Sequence, residues 1–475
     1  MKICFVSSEA YPFSKTGGLA DMAYFLPKSL NQMNIETKVI TPYYRQMKKY
    51  ADQLKYLGTK TVYVSYHEWV FNYYLMTYEN IEYIFVENMH LFERDGLYGY
   101  DDDIDRFTAF DYAVLELFEL INDYPSIIHL NDWQTGMIPY LLDQKYRQKN
   151  ESYYRIHTLL TIHNLQYQGS FDKSFYHYFS DQFDYTYIHF ESINFLKAGI
   201  ERATKINTVS PTYRNEILTQ AFGFSLDGSL YQRQNDLYGI LNGIDEEVFN
   251  PEIDPLISEN YHIKNAIAKK KIIKKEILHQ YQLKPDVDVP LIAYVGRLAE
   301  QKGIDLILQA IEDAVIFSDA NFIILGSGNE SYENHIRYLT SKYPNRIANY
   351  IGFNEQVAHQ LYAGSDLFMM PSQFEPCGLG QMIAMKYGSL PIVTETGGLK
   401  DTVIPYNKFN ESGTGFSFAN YSLYEFKEQI YAAIDLYINH KLVFNKLVRQ
   451  AMKQDNGLSQ VARSYEALYK KILEA

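Results

Sequence analysis

Residues 371–403, from Pro371 to Val403, read PSQFEPCGLGQMIAMKYGSLPIVTETGGLKDTV, and they give the key to the rest of the chain. The run before them, Asp366-Leu367-Phe368-Met369-Met370, is apolar and has the length of a buried parallel strand, while Gln381 to Tyr387 carries a helical pattern closed by Gly388. Strand, glycine-bearing loop and helix therefore follow in order. At such a junction backbone N–H groups and the positive helix end point at whatever lies above the sheet edge, which suits a phosphate or an array of sugar hydroxyls. Glu375 stands in that loop, where its carboxylate can accept hydrogen bonds from neighbouring hydroxyls. The next strand, Leu390 to Thr394, runs into Thr396-Gly397-Gly398, a second loop at the same edge. The plain alternative is an ordinary βαβ turn with a solvated Glu.

Working outward, short apolar runs alternate with helical patterns on both sides. In the second half they are Pro290 to Val295, Asn321 to Leu325, Ile347 to Ile351, Asp366 to Met370 and Leu390 to Val393. In the first half they are Lys2 to Val6, Thr37 to Ile40, Ile81 to Val86, Ile127 to Leu130, Thr158 to Ile162 and Lys205 to Val209. Each half reads as a doubly wound parallel sheet, so the expected class is α/β with two Rossmann-like domains facing a cleft. The turn-rich Leu241-Asn242-Gly243-Ile244-Asp245, followed by Asn250-Pro251-Glu252, sets the expected boundary: one domain over 1–243, the second over 244–455.

A length of 475 residues exceeds the about 250 to 300 that one core sustains, in keeping with two domains. A net charge of −13 offers no long-range attraction to nucleic acid or an anionic membrane, and no stretch of 18 consecutive apolar residues occurs. Cys4 and Cys377, the only cysteines, form neither a metal spacing nor a disulfide framework. A cytoplasmic protein with no nucleic-acid or membrane partner is expected.

Other loops carry chemistry at the same kind of position. Ser14-Lys15-Thr16-Gly17-Gly18-Leu19-Ala20-Asp21 follows the first strand and opens a helix through Ala23 to Met33; the glycines allow close approach and Lys15 supplies a charge for phosphate. Gly296-Arg297-Leu298 ends the first strand of the second half, and Gln301-Lys302-Gly303 opens the next helix, so Arg297 and Lys302 can clamp a diphosphate leaving group. His163 ends the strand Thr158 to Ile162, and Asp132-Trp133 ends Ile127 to Leu130. A carboxylate beside an indole can hold a sugar or simply cap a turn. The acids Asp101, Asp102, Asp103 and Asp105 precede a helical run and read as caps rather than a cation site. The lysine-rich helix from Lys264 to Gln280 reads as a solvated face with Ile263, Ile267, Ile273, Ile277 and Leu278 inward, and the aromatic segment Lys173 to Phe190 as an interlocked surface subdomain.

Taken in order, KTGGLAD (15–21), HLNDWQTG (129–136), TIHNLQYQG (161–169), INTVSPTY (206–213), ILNGID (240–245), GRLAEQKG (296–303) and FEPCGLGQ (374–381) resemble, nearly end to end, the bacterial glycogen synthase and plant starch synthase family. The resemblance implies the glycosyltransferase B architecture, with a final helix over 456–475 crossing back to the first domain. It implies transfer of glucose from ADP-glucose to the non-reducing end of an α-1,4-glucan, glycogen or a maltooligosaccharide, with retention of configuration and neither metal nor cofactor. By position, Lys15 and the Gly17-Gly18 backbone would meet the donor diphosphate, Arg297 and Lys302 would neutralise the departing ADP, and Glu375 with Cys377, Gly378, Leu379 and Gly380 would hold glucose hydroxyls. His163 would sit at the reacting sugar, Asp21, Asp132 and Asn242 would line the same centre, Trp133 would help receive the acceptor, and Phe353 would stack on adenine. Where many retaining enzymes of this fold outside the family place a second Glu, eight positions after the first, this chain has Ile383.

The rival readings are a related retaining transferase of the same fold with another donor or acceptor, and a noncatalytic glucan-binding protein. An NAD-dependent oxidoreductase is weaker, because no G-x-G-x-x-G follows either half's first strand.

Overall fold

The computed structural model describes residues 1–180 and 182–474. It divides into two compact units, one formed by Met1–Leu241 with the segment from Leu458, the other by Asn242–Gly457. Each division lies two residues from the expected position. The shift has a local cause: the backbone N–H of Ile244 donates to Asn456 O at 2.9 Å and Ile244 pairs with Gly457, so both chain crossings are laced together inside the second unit.

The first unit is built on a nine-stranded sheet in the order Leu237–Gly239, Lys205–Thr208, His157–Ile162, Ile127–Asn131, Lys2–Val6, Glu36–Pro42, Ile81–Glu87, His67–Tyr78 and Lys55–Val64. The first seven run parallel, and the last two add an antiparallel hairpin. Strand order reverses at the centre, between Lys2–Val6 and Ile127–Asn131, so the loops after these strands flank the topological switch point where α/β sheets collect ligands. The C-terminal helix Leu458–Leu473 packs on this unit: Val461, Tyr465, Leu468, Tyr469 and Ile472 are buried with Ile3, Phe5, Val39, Ile127 and Leu159. Tyr469 OH and the Thr161 hydroxyl sit 2.7 Å from the two ring nitrogens of buried His129, and Asn207 Nδ2 donates to Tyr465 OH at 3.0 Å.

The second unit has a six-stranded parallel sheet in the order Ile347–Ile351, Asn321–Gly326, Leu291–Val295, Leu367–Met370, Leu390–Thr394 and Phe416–Phe418. Its switch point lies between Leu291–Val295 and Leu367–Met370, the strands that precede Arg297 and Glu375.

Two readings of side-chain faces change. In the helix Ala266–Gln280, Lys270 and Lys274 are buried. Lys274 pairs with Asp366 at 2.6 Å, and Lys270 donates to Ala363 O at 2.7 Å and Tyr387 O at 2.9 Å. These carbonyls end the helices Glu355–Gly364 and Gly380–Lys386, so one ammonium caps two helix C-termini, and burial pulls it down to about 7. In the aromatic segment, Tyr178, Phe179 and Tyr187 are core residues beneath a small three-stranded sheet, while Phe183, Tyr185 and Phe190 are exposed; Asp181 lies outside the described residues. Two of the acids near 101–105 are taken up by arginines, Asp102 by Arg94 and Asp103 by the fully buried Arg106, and Asp105 accepts Tyr178 OH at 2.6 Å, at the start of the helix Asp103–Ile121. No helix among the described residues is long and apolar enough to cross a membrane.

Candidate active site

In the second unit the loop after Leu367–Met370 carries Glu375, 5% exposed, into the N-terminus of the helix Gly380–Lys386. Lys302 Nζ lies 2.6 Å from Glu375 Oε2, which also accepts Ser372 Oγ at 3.0 Å. Lys302, expected to meet the departing ADP, thus has a protein partner as well: its ammonium neutralises and orients Glu375, leaving Oε1 as the open oxygen among the described residues. Removing Lys302 would therefore strand a buried carboxylate. Gln301 ties down the same loop, donating from Nε2 to Phe374 O at 3.2 Å and accepting Gln373 N–H at 2.9 Å on its carbonyl.

Two glycines fix the approach of the neighbouring loop. Gly397 has φ +44°, and a Cβ there would lie 1.9 Å from Glu375 O; one on Gly398 would lie 2.2 Å from Cys377 O. Only bare backbone allows Gly398 N–H to donate to Glu375 O at 3.1 Å. The first N–H groups of the helix Gly380–Lys386 have no intrahelical acceptor, so the Cys377 to Gly380 backbone offers donors beside the Glu375 carboxylate. Cys377 is a wall rather than a nucleophile, since burial pushes its thiol up to about 12. Beside it stands Asn242, 9% exposed, with a side-chain oxygen that has no protein partner. Arg297 is exposed after Leu291–Val295, with no ion pair among the described residues, and the Phe353 ring is 83% exposed past the end of Ile347–Ile351.

In the first unit the loop after Lys2–Val6 leads to a helix, Gly18–Gln32, that starts five residues before the expected Ala23. Lys15 Nζ pairs with Asp21 Oδ1 at 2.7 Å. Sequence reading missed Glu9. This buried carboxylate accepts Thr16 N–H at 2.6 Å, Gly17 N–H at 3.2 Å, the Thr16 hydroxyl at 2.5 Å and Tyr98 OH at 2.8 Å. The Gly17 N–H, expected to meet a diphosphate, is thus already engaged. A Cβ on Gly18 would meet nothing within 4 Å, so that residue borders open space.

The loop after Ile127–Asn131 holds Asp132 at φ +57°, a conformation an aspartate keeps only under constraint. The constraint is visible: Asp132 N–H donates to Thr161 O at 3.0 Å, and Asp132 Oδ1 accepts the His163 N–H at 2.7 Å. Burial pushes its carboxyl up to about 7, opposed by the His163 and Asn164 N–H groups and aided by Glu9. His163 Nε2 lies 2.9 Å from Asn131 Oδ1, while Asn131 Nδ2 donates to Val6 O and His129 O. The asparagine oxygen must therefore face the ring, which places the proton on Nε2 and the lone pair on Nδ1. Burial holds this imidazole down at about 4, neutral near pH 7. Trp133 departs from expectation. It is 9% exposed, packed by Phe107, Phe171 and Phe195 at centroid distances of 5.0, 5.8 and 6.2 Å, and a Cβ on Gly169 would strike its ring at 2.3 Å. The indole braces the Asp132 loop from behind and presents little face to a sugar.

Residues 2–232 match the family model described as starch synthase catalytic domain, and residues 275–450 the model glycosyl transferases group 1. The glycogen synthase of Acholeplasma laidlawii is 61% identical over 474 residues, covering 100% of this chain and 99% of that one. The glycogen synthase of Anoxybacillus flavithermus is 42% identical over 489 residues, covering 100% and 98%. Among solved structures, the catalytic domain of starch synthase IV from Arabidopsis thaliana, bound to ADP and acarbose, superposes with a TM-score of 0.90 at 29% identity, covering 100% of this chain and 99% of that one. The two doubly wound sheets are thus the glycosyltransferase B fold, and the chain belongs to the family of bacterial glycogen synthases and plant starch synthases.

Proposed function

We propose that the protein transfers glucose from ADP-glucose to the non-reducing end of an α-1,4-glucan with retention of configuration. The observation that carries the reading is Glu375: a buried carboxylate, neutralised by Lys302, with one oxygen open beside the donor backbone of Cys377 to Gly380. That arrangement suits an uncharged sugar with vicinal hydroxyls, which donate to the carboxylate and accept from the N–H groups. In the second unit, Arg297 takes the charge that grows on the departing diphosphate, Asn242 offers its unpaired oxygen to the sugar, and Phe353 presents a ring to adenine. In the first unit, Lys15 and the Gly18 backbone answer the phosphates, and His163, Asp21 and Asp132 answer the reacting sugar and its acceptor.

The second carboxylate used by other retaining enzymes is replaced by buried Ile383. Retention then fits a same-face route, in which the C–O bond to the diphosphate breaks towards an oxocarbenium-like centre while the leaving phosphate oxygen takes the proton of the incoming hydroxyl. Two separate buried cysteines suit a reducing compartment, and we place the reaction in the cytoplasm.

The test is incorporation of labelled glucose into glycogen from ADP-glucose and, in parallel, UDP-glucose. Incorporation from ADP-glucose that falls at least about 100-fold in Glu375→Ala, at unchanged folding, is expected. Equal use of UDP-glucose, or no incorporation from either donor, overturns the reading.

A further inference from the structure

Gln381 is fully buried behind the Cys377 to Gly380 loop, and its side chain turns back towards that loop, as side chains in a first helical turn do. Nε2 donates to Cys377 O at 3.1 Å, Gly378 O at 3.0 Å and Thr402 Oγ1 at 3.0 Å. Two of these acceptors are carbonyls, which have no hydrogen to give, so the amide nitrogen and not its oxygen faces the loop.

In a trans peptide the C=O and the N–H point in opposite directions. Holding the carbonyls of Cys377 and Gly378 from behind therefore turns the N–H groups of Gly378 and Leu379 away from Gln381. Neither N–H has a protein acceptor among the described residues, and both residues are only half-buried. Gly378 has φ +74°, and a Cβ there would lie 2.6 Å from Gln381 Oε1 and 3.1 Å from Glu375 Cγ. Bare backbone is thus all that separates the amide from the Glu375 side chain.

The same amide ties the loop to its neighbour. Thr402 Oγ1 donates in turn to Gly398 O at 2.6 Å, and Gly398 N–H donates to Glu375 O at 3.1 Å. One side chain therefore registers Glu375, the two outward N–H groups and the helix Gly397–Thr402 against each other. A hexose presents its hydroxyls in a fixed spatial order, and epimers differ in the direction of a single one. An acceptor and two N–H groups held at set angles can read that order, and a tilt of either peptide plane would blur it.

We propose that Gln381 is the positioning residue that sets hexose selectivity at this site: by fixing the peptide planes after Cys377 and Gly378, it decides which epimer the N–H groups and Glu375 accept together. The inference rests on the glucosyltransferase reading and adds to it the residue behind the choice of sugar. The experiment is calorimetric titration of ADP-glucose, of its epimers ADP-galactose and ADP-mannose, and of ADP alone into the full-length protein without acceptor, alongside incorporation of glucose into glycogen. The wild type prefers ADP-glucose to either epimer. In Gln381→Met, which keeps the length of the side chain but has no hydrogen to give, that preference shrinks by about 10-fold while ADP affinity holds. In Gln381→Glu the preference is lost at alkaline pH and returns in part, relative to the wild type, as pH falls, because only a protonated carboxyl has a hydrogen for the two carbonyls; a bare packing role does not produce that dependence. Equal preference in the wild type and Gln381→Met overturns the proposal, as does a wild type that binds the three ADP-sugars alike. Loss of ADP affinity in both variants marks a general fault in the second unit and overturns it too. A wild type that prefers ADP-glucose, loses that preference in the variants and yet incorporates no glucose upholds the selectivity role and removes the transfer reading.

Discussion

Asp132 concentrates the tension of the first unit in one residue. It combines a left-handed backbone, held by hydrogen bonds to Thr161 and His163, with a carboxyl that burial pushes up to about 7 against the pull of the His163 N–H. An unfolded aspartate titrates near 3.8, so between that value and 7 the folded chain holds the extra proton, and this group's contribution to stability declines as pH rises through the window. Asp132→Asn keeps an oxygen for the His163 N–H but removes the ionisation. Its stability relative to the wild type should rise between about pH 4 and about pH 7 in urea unfolding; a constant difference would show an unperturbed carboxyl. Much at this scale was legible. Lys15, Asp132, Arg297 and Glu375 all follow strands that flank a switch point, and His163 follows the strand beside one, because loops between apolar runs mark those positions directly. Glu9 was not legible, since a carboxylate that binds backbone at positions 16 and 17 and a hydroxyl at position 98 has no periodic signature. Lys302 and Trp133 were recognised as important, but their partners, Glu375 and three phenylalanines, come from distant sequence.

The loops, taken as elements, behave as fitted pairs. Residues 375–378 and 396–398 touch backbone to backbone, so their glycines act as spacers of fixed thickness. Gly398→Ala introduces a methyl 2.2 Å from Cys377 O and must displace the loop that aims Glu375. Because a misplacement of about 1 Å can cost on the order of 100-fold, kcat should fall by about that factor while circular dichroism stays native. A near-normal kcat would show that Glu375 is held by Lys302 and Ser372 alone. Element positions were well read in the parallel sheets: Lys2–Val6 and Ile347–Ile351 occur as expected, and most other strands within one or two residues. The hairpin of Lys55–Val64 and His67–Tyr78 was missed, since its tyrosines, threonines and charges alternate on an edge instead of forming an apolar run. The buried face of the helix Ala266–Gln280 was read in part: Ile273, Ile277 and Leu278 are inward as expected, but Lys270 and Lys274 also enter the core, because carbonyls and Asp366 wait there.

For the whole molecule, the decisive contact is the return of Leu458–Leu473 to the first unit. Leu468, 3% exposed, is one of six buried side chains on that helix. Leu468→Ala should cost about 2 to 5 kcal/mol in the first unit and leave the second untouched. Denaturant unfolding followed by hydrogen exchange in each unit checks this; equal destabilisation of both would mean that the helix stabilises the chain as a whole. The helix's amphipathic pattern could be read locally, but not the His129 and Asn207 side chains that receive its tyrosines more than 250 residues away.

That return also sets an order of events during synthesis. The strand Lys2–Val6 leaves the ribosome before the second unit, yet part of the layer over it is made only after the entire second unit. A nascent chain therefore carries an open apolar groove over Ile3, Phe5 and Ile127 while the second unit is being made, and the first unit closes only after it. A chain cut short before residue 458 keeps every loop discussed above and still lacks the piece that seals its oldest core.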